Sequence, residues 1–231
     1  MNPRENRPAD PFGSGMAAYP DIPFSRNRLL HWLIGVYAVL WAILAIAPLD
    51  RMQWLMENLL PVGAVVALAC TYRKFRFSNV SYILIFVFLC IHTFAAHYTY
   101  QNTPVDVWIK AVMHTQRSYF DRFVHFFFGS LMAYPFREVL MRLAGLRGFW
   151  SYVLPAALVF AFSSLFEIIE MFVALVAGQA GANYIGLQGD IFDSQKDMGL
   201  GLAGAFVSMG ILAWVYEASR KKRPSPHTAE K

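Results

Sequence analysis

Stretches of about 20 mainly apolar residues, long enough to cross a bilayer as an α-helix, recur along this chain between short charged connectors. They run from Leu29 to Pro48, Trp54 to Thr71, Val80 to Ala96, Tyr119 to Met141, Ser151 to Ala177, and Met198 to Ala218. The pattern predicts an all-α integral membrane protein, a bundle of six transmembrane helices. Residues 1–28 and 219–231 form tails around a membrane domain over 29–218. A β-barrel is a poor alternative, because barrel strands alternate apolar and polar residues, whereas Val153 to Phe160 is apolar on every side.

Composition agrees. Of the 231 residues, 57% are hydrophobic and 15% charged, against about 45–50% apolar and about 25% charged in soluble domains. The net charge of +5 sits in clusters between apolar runs, which marks membrane topology rather than a nucleic-acid-binding face. Cys70 and Cys90 lie inside apolar runs with no metal-binding or redox spacing. Met1 to Asn27 is polar and lacks a signal-peptide pattern, so the first apolar run is expected to stay as an anchor.

Six spans place both tails on one side. All but five of the 20 Lys and Arg residues then fall on that side, the exceptions being Arg51, Lys110, Arg117, Arg122 and Lys196. The positive-inside rule makes it the cytoplasm. Acidic residues do the reverse: Asp50, Glu57, Asp106, Asp121, Glu167, Glu170, Asp190, Asp193 and Asp197 belong to the outer half. Lipid charge does not explain carboxylates inside spans.

Several of these groups match in depth. Asp121 and His125 are spaced i, i+4 and share a helix face, as do Asp193 and Asp197; Ser163, Glu167 and Glu170 repeat at helical spacing. Ionised groups in hydrocarbon cost at least about 2.5–3.5 kcal/mol, so they face a bundle interior and mark function. Two close carboxylates also need a cation, a proton or Arg122 to share their charge. Other roles stay open for neighbouring groups. Asp193 and Asp197 suit a helix N-terminus. Tyr98, Tyr100 and Trp108 suit an interfacial aromatic belt. Gly199, Gly201 and Gly204 suit close helix packing, and His31 and His114 suit the interface.

Mixed imidazole and carboxylate groups fit zinc or manganese, and His97, His125, Asp121, Glu167, Asp190 and Asp193 are the expected ligands. No HExxH, GxSxG or Walker motif is present, nor the His and Ser motif of membrane lipid phosphatases.

The sequence resembles the YjdF-type bacterial inner-membrane proteins, a family of unknown function. The matching stretches are His97 to Tyr100, Tyr119 to Phe126 with Gly129, Arg137-Glu138, Ser164 to Glu170, Gly178-Gln179, and Gly186 to Met198. Phe120 and Phe192 stand where that family usually has Tyr and Trp. The resemblance implies a multi-pass protein of the inner membrane and supplies no reaction. A looser similarity runs to VanZ-like membrane proteins, which pair an acidic-basic-x-x-His-Phe helix start with a later acidic helix.

The reading that follows is a metal-dependent enzyme or sensor acting on a lipid or envelope molecule at the outer leaflet. Asp121, His125, Glu167 and Glu170 form its centre, completed by His97, Asp190 and Asp193. Arg122 and Lys196 hold an anionic headgroup, Gln188 orients it, and Tyr98 lies beside it. A proton- or cation-coupled transporter is the alternative, disfavoured because the inner halves of the spans, typified by Leu33, Ile34, Ile85 and Leu212, hold almost no polar groups. A structural assembly protein is the third class.

Overall fold

A computed structural model describes residues 22–177 and 190–221, and every regular element among those residues is helical. After one 3-10 turn, α1 covers Arg28–Leu44, α2 Arg51–Glu57, α3 Leu59–Thr71 and α4 Asn79–His97. Next come α5 over Pro104–Met113, α6 over Phe120–Leu143, α7 over Trp150–Ala177 and α8 over Asp193–Lys221. Local chemistry sets several starts. Asn27, Asp50, Ser78 and Thr103 each accept a backbone N–H from the first turn of the helix they precede, and Pro104 opens α5, where no N–H is needed.

The segment between the third and fourth apolar runs reads from sequence as a polar connector. It holds α5 instead, with Val105, Val107, Trp108, Val112 and Met113 exposed and Asp106 fully buried. The second apolar run is broken into α2 and α3. Pro61 has no N–H to give the carbonyl of Glu57 four residues back, so the helix resets around Asn58. Asn58 is held there by accepting from Trp41 Nε1 at 2.6 Å and donating to the Trp54 carbonyl at 2.6 Å.

Four segments are long and apolar enough to cross a membrane: Arg51–Thr71, Asn79–His97, Trp150–Val173 and Asp193–Ser219. Two of the six expected spans fall outside that set for different reasons. Helix α1 has 17 residues, a short apolar helix. Helix α6 has 24 residues but carries Asp121 and Arg122 at one end and Arg137, Glu138 and Arg142 at the other. Large apolar side chains such as Trp32, Leu59, Leu175 and Trp214 are more than two-thirds exposed, as suits faces that meet lipid.

Helix α6 is the hub, packing against α4, α7 and α8. Its closest approach is to α8. A Cβ on Gly129 would lie 1.8 Å from the Gly201 carbonyl oxygen, and one on Gly204 would lie 2.2 Å from that of Phe126. The two backbones touch, which only glycine permits. Gly199, expected to share this seam, lies off it: a Cβ added there would meet nothing within 4 Å. Below the crossing, Ala133, Ala156, Val159, Ala205 and Met209 form a core of mostly small residues among α6, α7 and α8.

Two buried acids pin the ends of α6. Asp106 of α5 accepts from the N–H groups of Tyr119 and Phe120 at 2.8 and 3.2 Å, capping α6 from outside its own chain segment. At the far end, Glu138 is fully buried and caps α4, accepting from Ser78 N–H at 2.8 Å and from the Ser78 and Ser81 hydroxyls at 2.7 and 2.5 Å. Arg142 closes the arrangement on Glu138 at 2.7 Å, and Arg137 lies over the Tyr152 ring at 4.5 Å.

Valine at Gly129 or Gly204 should force α6 and α8 apart and destabilise the fold by about 1–3 kcal/mol or more. Thermal scans in detergent check this, with Gly199→Ala expected to leave the midpoint unchanged or slightly raised.

Candidate functional site

Helices that alternate in direction bring the C-terminal ends of α4 and α7 to the same end of the bundle as the N-terminal ends of α3, α6 and α8. The acidic and imidazole side chains gather there. His125 on α6 is buried, with Nε2 3.3 Å from Glu167 Oε1 on α7 and 3.8 Å from Asp121 Oδ1 one turn away. Ser194 donates to Glu167 from the start of α8. Asp197 sits one turn further along α8, within electrostatic reach of Asp121 and His125; Glu170 is similarly close to Asp121, Glu167, Asp197 and Glu57. An imidazole between two carboxylates is an arrangement that can take up and deliver a proton.

A second unit adjoins this one, built from residues whose role the sequence does not reveal. The Glu57 carbonyl left unpaired by Pro61 accepts from His92 Nε2 at 3.0 Å. A carbonyl can only accept, so Nε2 carries the hydrogen. In the neutral ring Nδ1 is then an acceptor, and Tyr100 O–H lies 2.7 Å from it and 3.3 Å from Glu57 Oε2. Tyr100 is thus a buried member of the site rather than a belt residue. It reaches this position because Thr99 and Tyr100 both adopt left-handed backbone (φ 55° and 57°), folding the chain back on the end of α4. Non-glycine residues held in that region cost roughly 1–3 kcal/mol each and cluster at functional sites. No residue pattern announces such a turn. Trp108, by contrast, is 66% exposed, as expected of a belt residue.

Cations stand over the start of α8. Arg117 Nη1 and Arg122 Nη2 reach Asp190 Oδ2 at 2.9 and 3.0 Å, Arg122 also holds Asp193 at 3.0 Å, and Arg117 bonds Asp193 as well. Lys196 completes the cage on Asp190. Hydrogen bonding from Lys196, then from Phe192 N–H, with the nearby positive charges of Arg117 and Lys196, holds the Asp190 carboxyl down at about 2. A depressed carboxylate stabilises the fold at pH above its ordinary value near about 3.9. That contribution is lost as the pH falls through about 2.

A groove of about 570 Å³ runs from the cluster along the bundle, between α3 on one side and α7 on the other, over a floor of α4 and α6. Its α6 wall includes Asp121, Val124, His125, Phe128, Met132, Phe136, Val139 and Leu143, a single helical face about 33 Å long at roughly 1.5 Å per residue. Leu68, Leu89, Phe162 and Ile169 typify the remaining lining. Polar groups enter only sparsely. Asp121, His125, His92, Tyr100 and Ser163 lie at or near the cluster end, and Thr71 lies on the distal stretch of α3. Ser163 Oγ and Asp197 Oδ1, both buried, have no hydrogen-bond partner among the described residues.

The expected centre, Asp121, His125, Glu167 and Glu170, is therefore brought together. The expected metal set is not. His97 turns to the end of α1, where Nδ1 bonds the Leu44 carbonyl at 2.8 Å, and Asp190 and Asp193 are occupied by guanidinium and ammonium groups. Among the described residues no three His, Cys, Asp or Glu side chains are arranged to hold a metal ion. Tyr98 packs on Phe94 and His97, beside α1's end of the bundle. Gln188 lies outside the described residues. Sequence reasoning places Glu57 and His92 at the depth of the cluster without giving them a role in it, and misses Tyr100 and Arg117 as members of this assembly. The one available signal was Pro61, which releases a carbonyl wherever it interrupts a helix.

Residues 29–218 match the family model described as "Predicted membrane protein (DUF2238)". The chain is also similar to "Inner membrane protein YjdF" of Escherichia coli (strain K12), with 33% identity over 165 residues, covering 71% of this chain and 79% of that protein. No solved structure matches it.

Removing one member of the charged cage takes a charge-assisted hydrogen bond from the other, which keeps a single ionic partner, Arg117 for Asp193 and Asp190 for Arg122. Arg122→Ala and Asp193→Ala should each cost about 2 kcal/mol. The double substitution should cost measurably less than their sum, a coupling that thermal or denaturant unfolding of the four proteins reads directly.

Proposed function

The chain belongs to the DUF2238 family of predicted membrane proteins, and on that premise we propose that this multi-pass inner-membrane protein binds a membrane lipid beside His125, Asp121 and Glu167. One observation carries the reading: the groove is apolar for most of its length and ends on a buried imidazole flanked by carboxylates. A chain lying in it meets Phe, Leu, Ile and Met side chains, and its polar end meets hydrogen-bonding groups. At about 33 Å the groove exceeds the reach of one leaflet of a core about 30 Å thick. Where a reaction follows, His125 is the proton carrier and Glu167, oriented by Ser194, positions it.

In this reading α1 and α6 complete six spans, both tails lie in the cytoplasm, and the cluster faces the outer leaflet. The distribution of Lys and Arg supports that orientation. Helix α6 is the central member of the bundle: Arg137 and Glu138 at its far end are buried in protein, and Arg122 at its near end is paired with Asp190 and Asp193. The transport alternative has less support. The far end of the bundle does hold buried polar groups, Arg137 and Glu138, contrary to the expectation of an apolar inner half. Between His125 and Arg137, however, the groove face of α6 presents Phe128, Met132 and Phe136, an apolar interval of about 18 Å.

Protein purified from native membranes should carry a tightly held lipid, detected by organic extraction and mass spectrometry. Leu68→Trp, which fills the groove, should reduce it about tenfold, and His125→Ala should weaken retention by a similar factor. Lipid no more enriched than in bulk membrane would overturn the reading. Stoichiometric zinc or manganese in the same preparation, lost in Glu167→Ala, would instead make an ion the reactive centre. A reporter fused after Lys231 should register a cytoplasmic environment.

A further inference from the structure

The groups that a lipid head would meet are unevenly charged, and this deepens the lipid-site reading on which it rests. Positive side chains near the cluster are already engaged. Arg117, Arg122 and Lys196 close on Asp190 and Asp193, and the Nε–H groups of both arginines are sealed from the surface. A phosphate entering from the groove would have to displace those carboxylates to gain a cation. The groove end itself is lined by Asp121 and His125, backed by Glu167 at 3.3 Å from the imidazole and by Glu170 and Asp197 nearby. Among the buried atoms at this end that lack partners among the described residues, Asp197 Oδ1 can only accept from a donor when ionised, and Ser163 Oγ belongs to a residue that lines the groove; the Nε–H groups of Arg117 and Arg122 also lack partners but belong to side chains already held by Asp190 and Asp193. The sequence suggests Arg122 and Lys196 as holders of an anionic head; the structure gives both of them acidic partners.

We propose that the lipid taken by the groove carries a protonated amine in its head, received by Asp121 with the carboxylates behind it, and that the site discriminates against a head offering phosphate alone. An ammonium supplies up to three donors and one positive charge, which offsets the local surplus of carboxyl groups. It also needs no rearrangement of the Arg117–Arg122–Lys196 cage. Charge-assisted hydrogen bonds of this kind are the stronger ones in protein sites.

The test uses the full chain in phosphatidylglycerol–phosphatidylcholine vesicles with three diazirine-bearing dodecyl probes: an amine, a phosphate monoester and an alcohol. Crosslinks are mapped by mass spectrometry. Labelling of groove residues Leu68, Phe128 and Ile169 is normalised to the outward face of α1 at Trp32 and Val39, which cancels differences in membrane partition. The expected result is groove labelling about tenfold stronger for the amine than for either other probe, with the preference lost in Asp121→Asn. Because the three-probe comparison is made on the unaltered protein, it stands even where that variant fails to fold. Phosphate labelling equal to or above the amine, or alcohol labelling equal to it, overturns the amine assignment while leaving a lipid-binding groove. Groove labelling by none of the probes overturns the lipid site itself.

Discussion

The crossing of α6 over α8 is the contact on which the remaining architecture depends. Gly129, Gly201 and Gly204 let the two backbones meet with no side chains between them. In a bilayer there is no hydrophobic gain from joining two apolar helices, so close packing and backbone approach must supply the attraction. The position of the crossing matters as much as its tightness. It lies one to two turns from the ends that carry Asp121 and His125 on one helix and Asp193 and Asp197 on the other. Carboxylates that would separate along diverging helices are thereby kept within electrostatic reach of one imidazole.

Charge inside the bundle is organised into three distinct assemblies. At the far end, Glu138 and Arg142 tie the start of α4 to the end of α6. At the near end Asp106, paired with Lys110 at 2.8 Å, holds the start of α6. Between the α5–α6 connection and α8, three cations grip two acids. In each of these sets every carboxylate has a cation as partner, as buried ions require, and the third set holds one cation more than its acids. The cluster of Asp121, Glu167, Glu170 and Asp197 around His125 is the exception, with more carboxyl groups than cations, and it is the cluster that meets the groove.

Much of this is legible in the sequence. Apolar runs locate every long helix to within a few residues, i, i+4 spacing puts Asp121 with His125, and matching depth brings Glu167 to the same end of the bundle. The family likeness drawn from Tyr119 to Phe126 and Ser164 to Glu170 agrees with the match over 29–218. What escapes is set by the backbone rather than by residue type. Tyr100 looks like an interfacial aromatic because nothing in Thr99-Tyr100 signals two successive left-handed residues. His97 is the expected ligand on paper, and His92, near the same end of its span, has no assigned role. Only the carbonyl freed by Pro61 draws one of them into the site, while the other turns to α1. Arg122 looks available to an anion until the α8 start folds over it.

The groove lies along the flank of the bundle, between α3 and α7, where a lipid could enter it sideways from the bilayer. A molecule arriving that way has already left the aqueous phase and diffuses in two dimensions. Occupancy then follows its mole fraction among neighbouring lipids, and adding more membrane dilutes it even when the amount per volume is fixed. Affinity for such a site is a number per hundred lipids, set by what the surrounding leaflet is made of.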